Sequence, residues 1–187
     1  MIKFTVVMAL AASMLAAPGF GAKLPRKAPD FTFQMVDGTR QQLDQYKGKT
    51  IVLAFMYTTC PHCQKISQLL AQVQKEYEGK DVQILGAVFD QGAASRLQEF
   101  NKTNGLNFPV GSSDSKPVLD FLQFPSTEPY FVPILVFIDK NGMIRAQYFG
   151  DDKFLESPEV NVRGEIDKLV KGGASTTGVN TKKAPKS

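Results

Sequence analysis

The chain has 187 residues, a formal net charge of +4, two cysteines and one histidine. That length suits one domain with a single core, and the 43% hydrophobic fraction argues against disorder outside the two ends. The net positive charge comes from Lys3, Lys182, Lys183 and Lys186, so the rest of the chain is about neutral. Because the sequence has no basic stripe with interleaved aromatic residues, nucleic-acid binding is not predicted.

The N-terminus has the order of a secretory signal peptide. Lys3 is a short positive segment, Phe4–Ala17 is an apolar run, and small residues follow around Gly19 and Gly21. The run is shorter than the about 20 apolar residues of a membrane span. We predict a signal peptide over residues 1–21, with an approximate cleavage site, and an uncleaved N-terminal membrane anchor stays open. Either way the folded part is periplasmic or otherwise extracytoplasmic, where a disulfide persists.

Strands and helices alternate along the middle of the chain. Asp37-Gly38 marks a tight turn between two short extended pieces, which predicts an N-terminal β-hairpin. Ile51–Tyr57 is nearly continuous apolar sequence, typical of a central strand covered on both faces, and Val82–Phe89 has the same character. A helix that starts at Pro61 is predicted between them by one apolar stripe: Ile66, Leu69, Leu70, Val73 and Tyr77.

Further elements follow in the second half. The apolar spacing of Ala94, Leu97 and Phe100 predicts a second helix, and residues 106–124 are expected to hold a short strand and a short helix. Two β-rich runs flank Asn141-Gly142, which is the strongest short-range hairpin signal. Strands that alternate with helices predict an α/β fold, to which this hairpin adds antiparallel strands.

A last helix closes the predicted domain. Ser157, Pro158 and Glu159 have the order of an N-cap, a first-turn proline and a first-turn acid. The expected buried face of this helix is Val162, Ile166, Leu169 and Val170. We predict a domain over residues 22–172 and a flexible tail over residues 173–187, which are rich in Gly, Ser, Thr and Lys.

Both cysteines and the histidine lie in one stretch, YTTCPHCQK, which spans Tyr57–Lys65. A structural zinc site needs about four Cys or His ligands, and this stretch offers fewer. Covalent haem attachment needs Cys-x-x-Cys-His, whereas Gln64 follows Cys63. A Cys–His nucleophile needs a histidine from elsewhere in the chain, which has none. A structural disulfide stabilises more when it closes a long loop, and this loop is short.

Thiol–disulfide exchange remains, and the position of the pair favours it. Cys60 follows the central strand and begins the helix, where Pro61 takes the first-turn position and unpaired N–H groups favour a thiolate. His62, when protonated, adds positive charge, and Cys63 lies one turn on as the resolving partner. We predict Cys60 and Cys63 as catalytic residues and Pro61 and His62 as residues that tune them, with no metal and no cofactor.

Four segments resemble thioredoxin-fold thiol–disulfide oxidoreductases of the TlpA/ResA-like kind and the related AhpC/TSA group. They lie within residues 28–151 and read APDFTFQMVDG, GKTIVLAFMYTTCPHC, NGLNFPV and VPILVFIDKNGMI. The resemblance implies a thioredoxin-like fold: a central mixed β-sheet flanked by helices, with an extra N-terminal β-hairpin and a helical insert before the last strands. It also implies that Pro133 is a cis-proline facing the redox pair, and that Val132 offers its backbone to a partner's extended segment.

Some positions depart from that pattern. Thr59 stands where thioredoxin has Trp, Ala54 where it has a buried acid, and Ile66 where ResA-like proteins have Glu. Pro61-His62 is similar to the active-site dipeptide of DsbA, in which the histidine stabilises the reduced thiolate and makes the disulfide oxidising. The direction of exchange, oxidation or reduction of the partner, therefore stays open.

The expected partners are cysteine-containing exported proteins and a redox-recycling partner, which can be membrane-bound. Three alternatives stay open. A Sco-like copper chaperone could hold Cu(I) with the same thiolates, although Sco proteins space the cysteines differently and use a distant histidine. An AhpC/TSA-type peroxidase uses Pro-x-x-x-Thr-x-x-Cys, and this chain has Leu53 and Tyr57 at those positions. A binding module with inert cysteines is the third.

Overall fold

The computed structural model describes residues 22–172, so the predicted signal peptide and tail lie outside the described residues. The strands, in chain order, are β1 (Arg26–Lys27), β2 (Thr32–Gln34), β3 (Arg40–Gln42), β4 (Thr50–Met56), β5 (Val82–Val88), β6 (Val110–Ser112), β7 (Ile134–Ile138) and β8 (Met143–Tyr148). The α-helices are α1 (Pro61–Glu76), α2 (Ala93–Thr103), α3 (Ser115–Leu122) and α4 (Pro158–Val170). Short 3-10 turns cover Leu43–Tyr46 and Lys153–Glu156.

The described strands form one mixed sheet in the order β1-β8-β7-β4-β5-β6-β2-β3. β4, β5 and β6 run parallel, whereas β7 pairs antiparallel with both β4 and β8. Every residue of β4 is buried, as its continuous apolar sequence predicts for a central strand. β2 and β3 form the predicted N-terminal hairpin, which joins the sheet through Gln34 opposite Ser112. The α/β prediction of a central mixed sheet with this extra hairpin is confirmed.

Helices cover both faces of the sheet. α1, α2 and α4 pack on one face, where Leu70, Leu97 and Ile166 are almost completely buried. α3 packs on the other face, together with the chain between β1 and β2, in which the Phe31 ring contacts Phe55. This layering fixes the end of β4 and the start of α1 against each other, and the predicted redox pair lies at that junction.

Two residues of the apolar patterns that predict α2 and α4 are exposed. Ala94 is exposed, and Ala93 takes its place with 4% exposure, because residues 93, 97 and 100 share one helical face. Val170 is 45% exposed because, as the last residue of α4, it lies about 100° round the helix from buried Leu169. Glu165 is buried on α4 instead, and it accepts a hydrogen bond from Lys168.

The sequence pattern missed β1, a two-residue strand inside the Pro- and Lys-rich lead-in. It pairs antiparallel with the start of β8, Arg26 opposite Ile144. The predicted helix start after Ser157 and the hairpin around Asn141-Gly142 are both present. Within residues 22–172, no helix combines the length and the apolar character needed to cross a membrane.

Candidate active site

The predicted site residues meet where β4 passes into α1. They are Cys60, Pro61, His62, Cys63, Val132 and Pro133. Cys60 is the N-cap of α1 and Pro61 is its first residue, as the sequence predicts. The Cys60 side chain is half-buried and His62 is exposed, whereas Cys63 is completely buried. Cys60 is therefore the more exposed of the two cysteines.

Backbone N–H groups point at both sulfurs. The Cys63 N–H donates to Cys60 Sγ at 3.4 Å, and the Tyr57 N–H donates to Cys63 Sγ at 3.4 Å. Both cysteines are free thiols. Burial raises the pKa of the Cys63 thiol well above its ordinary value, and the hydrogen bond from Tyr57 offsets this only in part. Cys63 is therefore protonated at neutral pH. It must lose this proton before it can act as a nucleophile, which suits a second, resolving step.

The loop before β7 faces the redox pair. The Val132–Pro133 peptide bond is cis, as the resemblance implies, and Val132 O lies 4.0 Å from Cys60 Sγ. Gly150, just after β8, holds this loop: its N–H donates to Phe131 O at 2.8 Å. A Cβ atom at Gly150 would lie 2.6 Å from Val132 O, so this approach requires glycine. Gly150 was not predicted as a site residue, because nothing in the local sequence marks this contact.

A cavity of about 410 Å³ opens beside the pair. His62 and Leu69 of α1, Pro133, and Leu155 and Glu159 from the C-terminal part are among its lining residues. The cavity therefore lies between α1, the cis-proline and the C-terminal part of the described chain.

Aromatic side chains fill the space on another side of the loop. The hydroxyl groups of Tyr57 and Tyr130 are hydrogen-bonded at 2.8 Å, and Phe89 packs against both rings. Burial raises the pKa of Tyr57 above its ordinary value, so this phenol stays neutral over the physiological range. The pair ties the residue after β4 to the loop that carries Val132.

Comparison with known proteins identifies the family. A profile of the AhpC/TSA family matches residues 24–147. The chain belongs to the AhpC/TSA family. The peroxidase motif nevertheless has no counterpart here: Leu53 is a buried residue of β4, and Tyr57 makes the hydrogen bond to Tyr130.

Curated relatives in this family include thiol-disulfide oxidoreductases. The protein ResA of Bacillus subtilis (strain 168) is 31% identical over 93 residues, which cover 50% of this chain and 51% of that protein. ResA of Bacillus thuringiensis (strain Al Hakam) is 26% identical over 129 residues, which cover 69% of this chain and 71% of that protein. The chain thus spans about half of the first relative and more of the second. These relatives support the predicted TlpA/ResA-like thiol–disulfide oxidoreductase.

Solved structures confirm the thioredoxin-like fold. A thiol:disulfide interchange protein of the thioredoxin family from Chlorobium tepidum TLS superposes with a TM-score of 0.63 at 22% identity, covering 78% of this chain and 99% of that one. A thiol:disulfide interchange protein from Bacteroides sp. gives a TM-score of 0.63 at 18% identity, covering 79% and 90%. At such identities the likeness concerns the fold.

Among residues 22–172, no three His, Cys, Asp or Glu side chains group in a way that could hold a metal ion. The roles of the six site residues remain predictions.

Proposed function

We propose that this AhpC/TSA-family protein acts outside the cytosol and exchanges disulfides with cysteine-containing exported proteins through Cys60 and Cys63. One observation carries the proposal: an accessible Cys60 sulfur at a helix N-terminus lies beside Val132 O, with the buried Cys63 sulfur behind it. The ResA relatives, named thiol-disulfide oxidoreductases, support the same chemistry. The signal-like sequence of residues 1–21 supports export.

In the reducing direction, the Cys60 thiolate attacks one sulfur of a partner disulfide. A mixed disulfide forms and the partner's other sulfur leaves as a thiolate. Cys63 then loses its proton and attacks Cys60 Sγ, which closes the Cys60–Cys63 disulfide and releases the partner's first sulfur as a thiolate. In the oxidising direction the same steps run backwards, so that partner thiols become a disulfide and the pair is reduced.

Docking of the partner involves the loop before β7. Val132 offers its backbone beside Cys60, and the neighbouring Phe131 side chain is 53% exposed. A partner segment that extends along this loop brings its own sulfur towards Cys60. Because backbone groups make this contact, many partner sequences can use it.

The two cysteines have different predicted roles, and single variants separate them. Cys63→Ser should accumulate a stable mixed disulfide with oxidised glutathione, since the resolving thiol is missing. Cys60→Ser should form one at least tenfold more slowly, because the remaining sulfur is completely buried. Intact-protein mass spectrometry after an acid quench measures both. Equal trapping by the two variants would contradict the proposal.

The direction of exchange depends on the reduction potential of the couple, measured in glutathione buffers. A value above about −200 mV, towards the DsbA end of the scale, would assign an oxidant and give His62 its tuning role. A value near or below about −270 mV, in the thioredoxin range, would assign a reductant. The exported location is tested separately by fractionating cells that express the full chain, and recovery in the cytosol alone would refute it.

A further inference from the structure

Thr58, two residues before Cys60, is held by side chains from another part of the fold. Asp90 comes just after β5, and its carboxylate accepts two hydrogen bonds from Thr58: from the N–H at 2.8 Å and from the hydroxyl at 2.7 Å. Thr58 itself is only 6% exposed. The end of the neighbouring strand thus reaches across to the loop that carries the redox pair.

Arg96 of α2 completes the arrangement. Its Nε donates to the Thr58 hydroxyl oxygen at 2.7 Å, and its Nη2 donates to Asp90 Oδ2 at 2.6 Å. The Asp90 side chain is 10% exposed, and that of Arg96 is 41% exposed. Burial alone would raise the pKa of Asp90, but the hydrogen bonds from Thr58 and Arg96 lower it below its ordinary value. The carboxylate is therefore charged and fully engaged at neutral pH.

This arrangement continues to the sulfur atoms through neighbouring backbone groups. The Gln64 side chain of α1 donates to Thr58 O at 3.2 Å, so the N–H, the hydroxyl and the carbonyl of Thr58 are all engaged. Tyr57, the residue before Thr58, directs its N–H at Cys63 Sγ. Fixing Thr58 therefore fixes both the N–H that faces the buried sulfur and the start of the turn that carries Cys60.

We propose that Asp90 and Arg96 are positioning residues for thiol–disulfide exchange, which act through Thr58 on the loop that carries the redox pair. This role rests on the proposed function. An ion pair that merely stabilised the fold would not need to engage both the N–H and the hydroxyl of one residue beside the redox pair.

The expected effect follows from the hydrogen bonds in the free-thiol pair. A thiolate sulfur accepts hydrogen bonds better than a disulfide sulfur does, so the Cys63 N–H, which points at Cys60 Sγ, favours the reduced form when Cys60 is a thiolate. Thr58→Val removes the hydroxyl with little change of shape and leaves the charge of Asp90 in place. It should shift the equilibrium with glutathione towards the Cys60–Cys63 disulfide by at least threefold. Thr58→Ser keeps a hydroxyl and should restore the wild-type equilibrium.

Asp139 supplies a matched control. Its carboxylate also caps a loop, accepting from the N–H groups of Asn141 and Met143, and it pairs with Arg145 Nε at 2.7 Å. Its side chain is 9% exposed, like that of Asp90, but it follows the end of β7 that lies farthest from Pro133. Asp139→Asn should therefore cost stability without moving the glutathione equilibrium.

The experiment equilibrates full-length wild type, Thr58→Val, Thr58→Ser, Asp90→Asn and Asp139→Asn with glutathione buffers, with thermal unfolding measured in parallel. The positioning role is supported if the glutathione equilibrium shifts towards the Cys60–Cys63 disulfide in Thr58→Val and Asp90→Asn but not in Thr58→Ser and Asp139→Asn. Thr58→Val decides the matter if Asp90→Asn does not fold. If wild type exchanges disulfides with glutathione and Thr58→Val has the same equilibrium, the positioning role is overturned and the proposed function is not. A wild-type protein that exchanges no disulfide with glutathione overturns the proposed function as well.

Discussion

Replacing Gly150 by alanine tests how the cis-proline loop is held against the redox pair. A Cβ atom there would lie 2.6 Å from Val132 O and 2.8 Å from Phe131 C, whereas ordinary contacts begin at 3.4 Å. The added atom meets backbone, which cannot swing aside as the end of a flexible side chain does. The loop must therefore move by roughly 0.8 Å to restore an ordinary distance to Val132 O. Such overpacking costs about 1–3 kcal/mol of the free energy of unfolding.

The same movement displaces the Val132 carbonyl, which lies 4.0 Å from Cys60 Sγ. Since a misplacement of about 1 Å in a reacting geometry can lower a rate about 100-fold, we expect Gly150→Ala to slow exchange about tenfold. Urea unfolding measures the loss of stability. The initial rate of mixed-disulfide formation with oxidised glutathione, in the Cys63→Ser background, measures the loss of rate.

Gly164 provides the control for this substitution. It lies within α4, and a Cβ atom there would have no neighbour within 4 Å outside the helix's own nearby backbone. Gly164→Ala should stabilise the protein by about 0.5–1 kcal/mol, as alanine does in a helix interior, and should leave the rate unchanged. If Gly150→Ala has the same free energy of unfolding and the same rate of mixed-disulfide formation as its parent protein, the loop adapts without cost and does not require glycine at position 150.

Two ionisable side chains give pH-dependent predictions, both measured by urea unfolding. Burial, reinforced by the hydrogen bond to Asp167, raises the pKa of Tyr77 to about 12. Because the unfolded phenol ionises near pH 10, the free energy of unfolding should fall as the pH rises above about 10. Tyr77→Phe should make this fall with pH less steep. An equally steep fall in the variant would contradict the prediction. Burial alone would raise the pKa of Asp139, but hydrogen bonds from donors that include Arg145 lower it below 3.8. Its contribution is present above about pH 4 and is lost as pH falls through the folded pKa, so Asp139→Asn should cost about 1–3 kcal/mol at pH 7 and less at pH 3. An equal cost at both pH values would argue against it.

Local patterns were sufficient to predict the part of the fold that carries the redox pair. The apolar run of β4, the proline after Cys60 and the helical stripe of α1 are each visible within a few residues of one another. A strand followed directly by a helix N-terminus already places Cys60 at the edge of the sheet. The main features of the active site therefore follow from sequence neighbours.

The supporting contacts could not be predicted in the same way, because they join distant segments. Asp90 lies 32 residues from Thr58, and two strands, β7 and β8, separate Gly150 from Phe131 and Val132 in the chain. Nothing in the local sequence distinguishes Asp90 from any other acid at the end of a strand. The φ angle of Gly150 is not in the left-handed region, so its requirement for glycine arises only from the packed loop.

The two errors in the helices have a different origin. In α2, Ala93 and Ala94 are identical residue types, so only the exact face that meets the sheet distinguishes them. In α4, Val170 lies at the edge of the apolar stripe, about 100° round the helix from buried Leu169. Periodicity predicts which residues share a face, but the docking of the helix determines which of them are buried.

The segment Arg26–Gln42 supplies both edge strands of the sheet. β1 closes one edge of the sheet, the β2–β3 hairpin closes the other, and Phe31 presses on the face between them. Arg26 of β1 pairs with Ile144 of β8, 118 residues later in the chain, so this edge cannot form until most of the domain has been synthesised. Both outer strands are short, at two and three residues, and offer little edge for an intruding strand. Without this segment, β8 and β6 would become the two edges of the sheet.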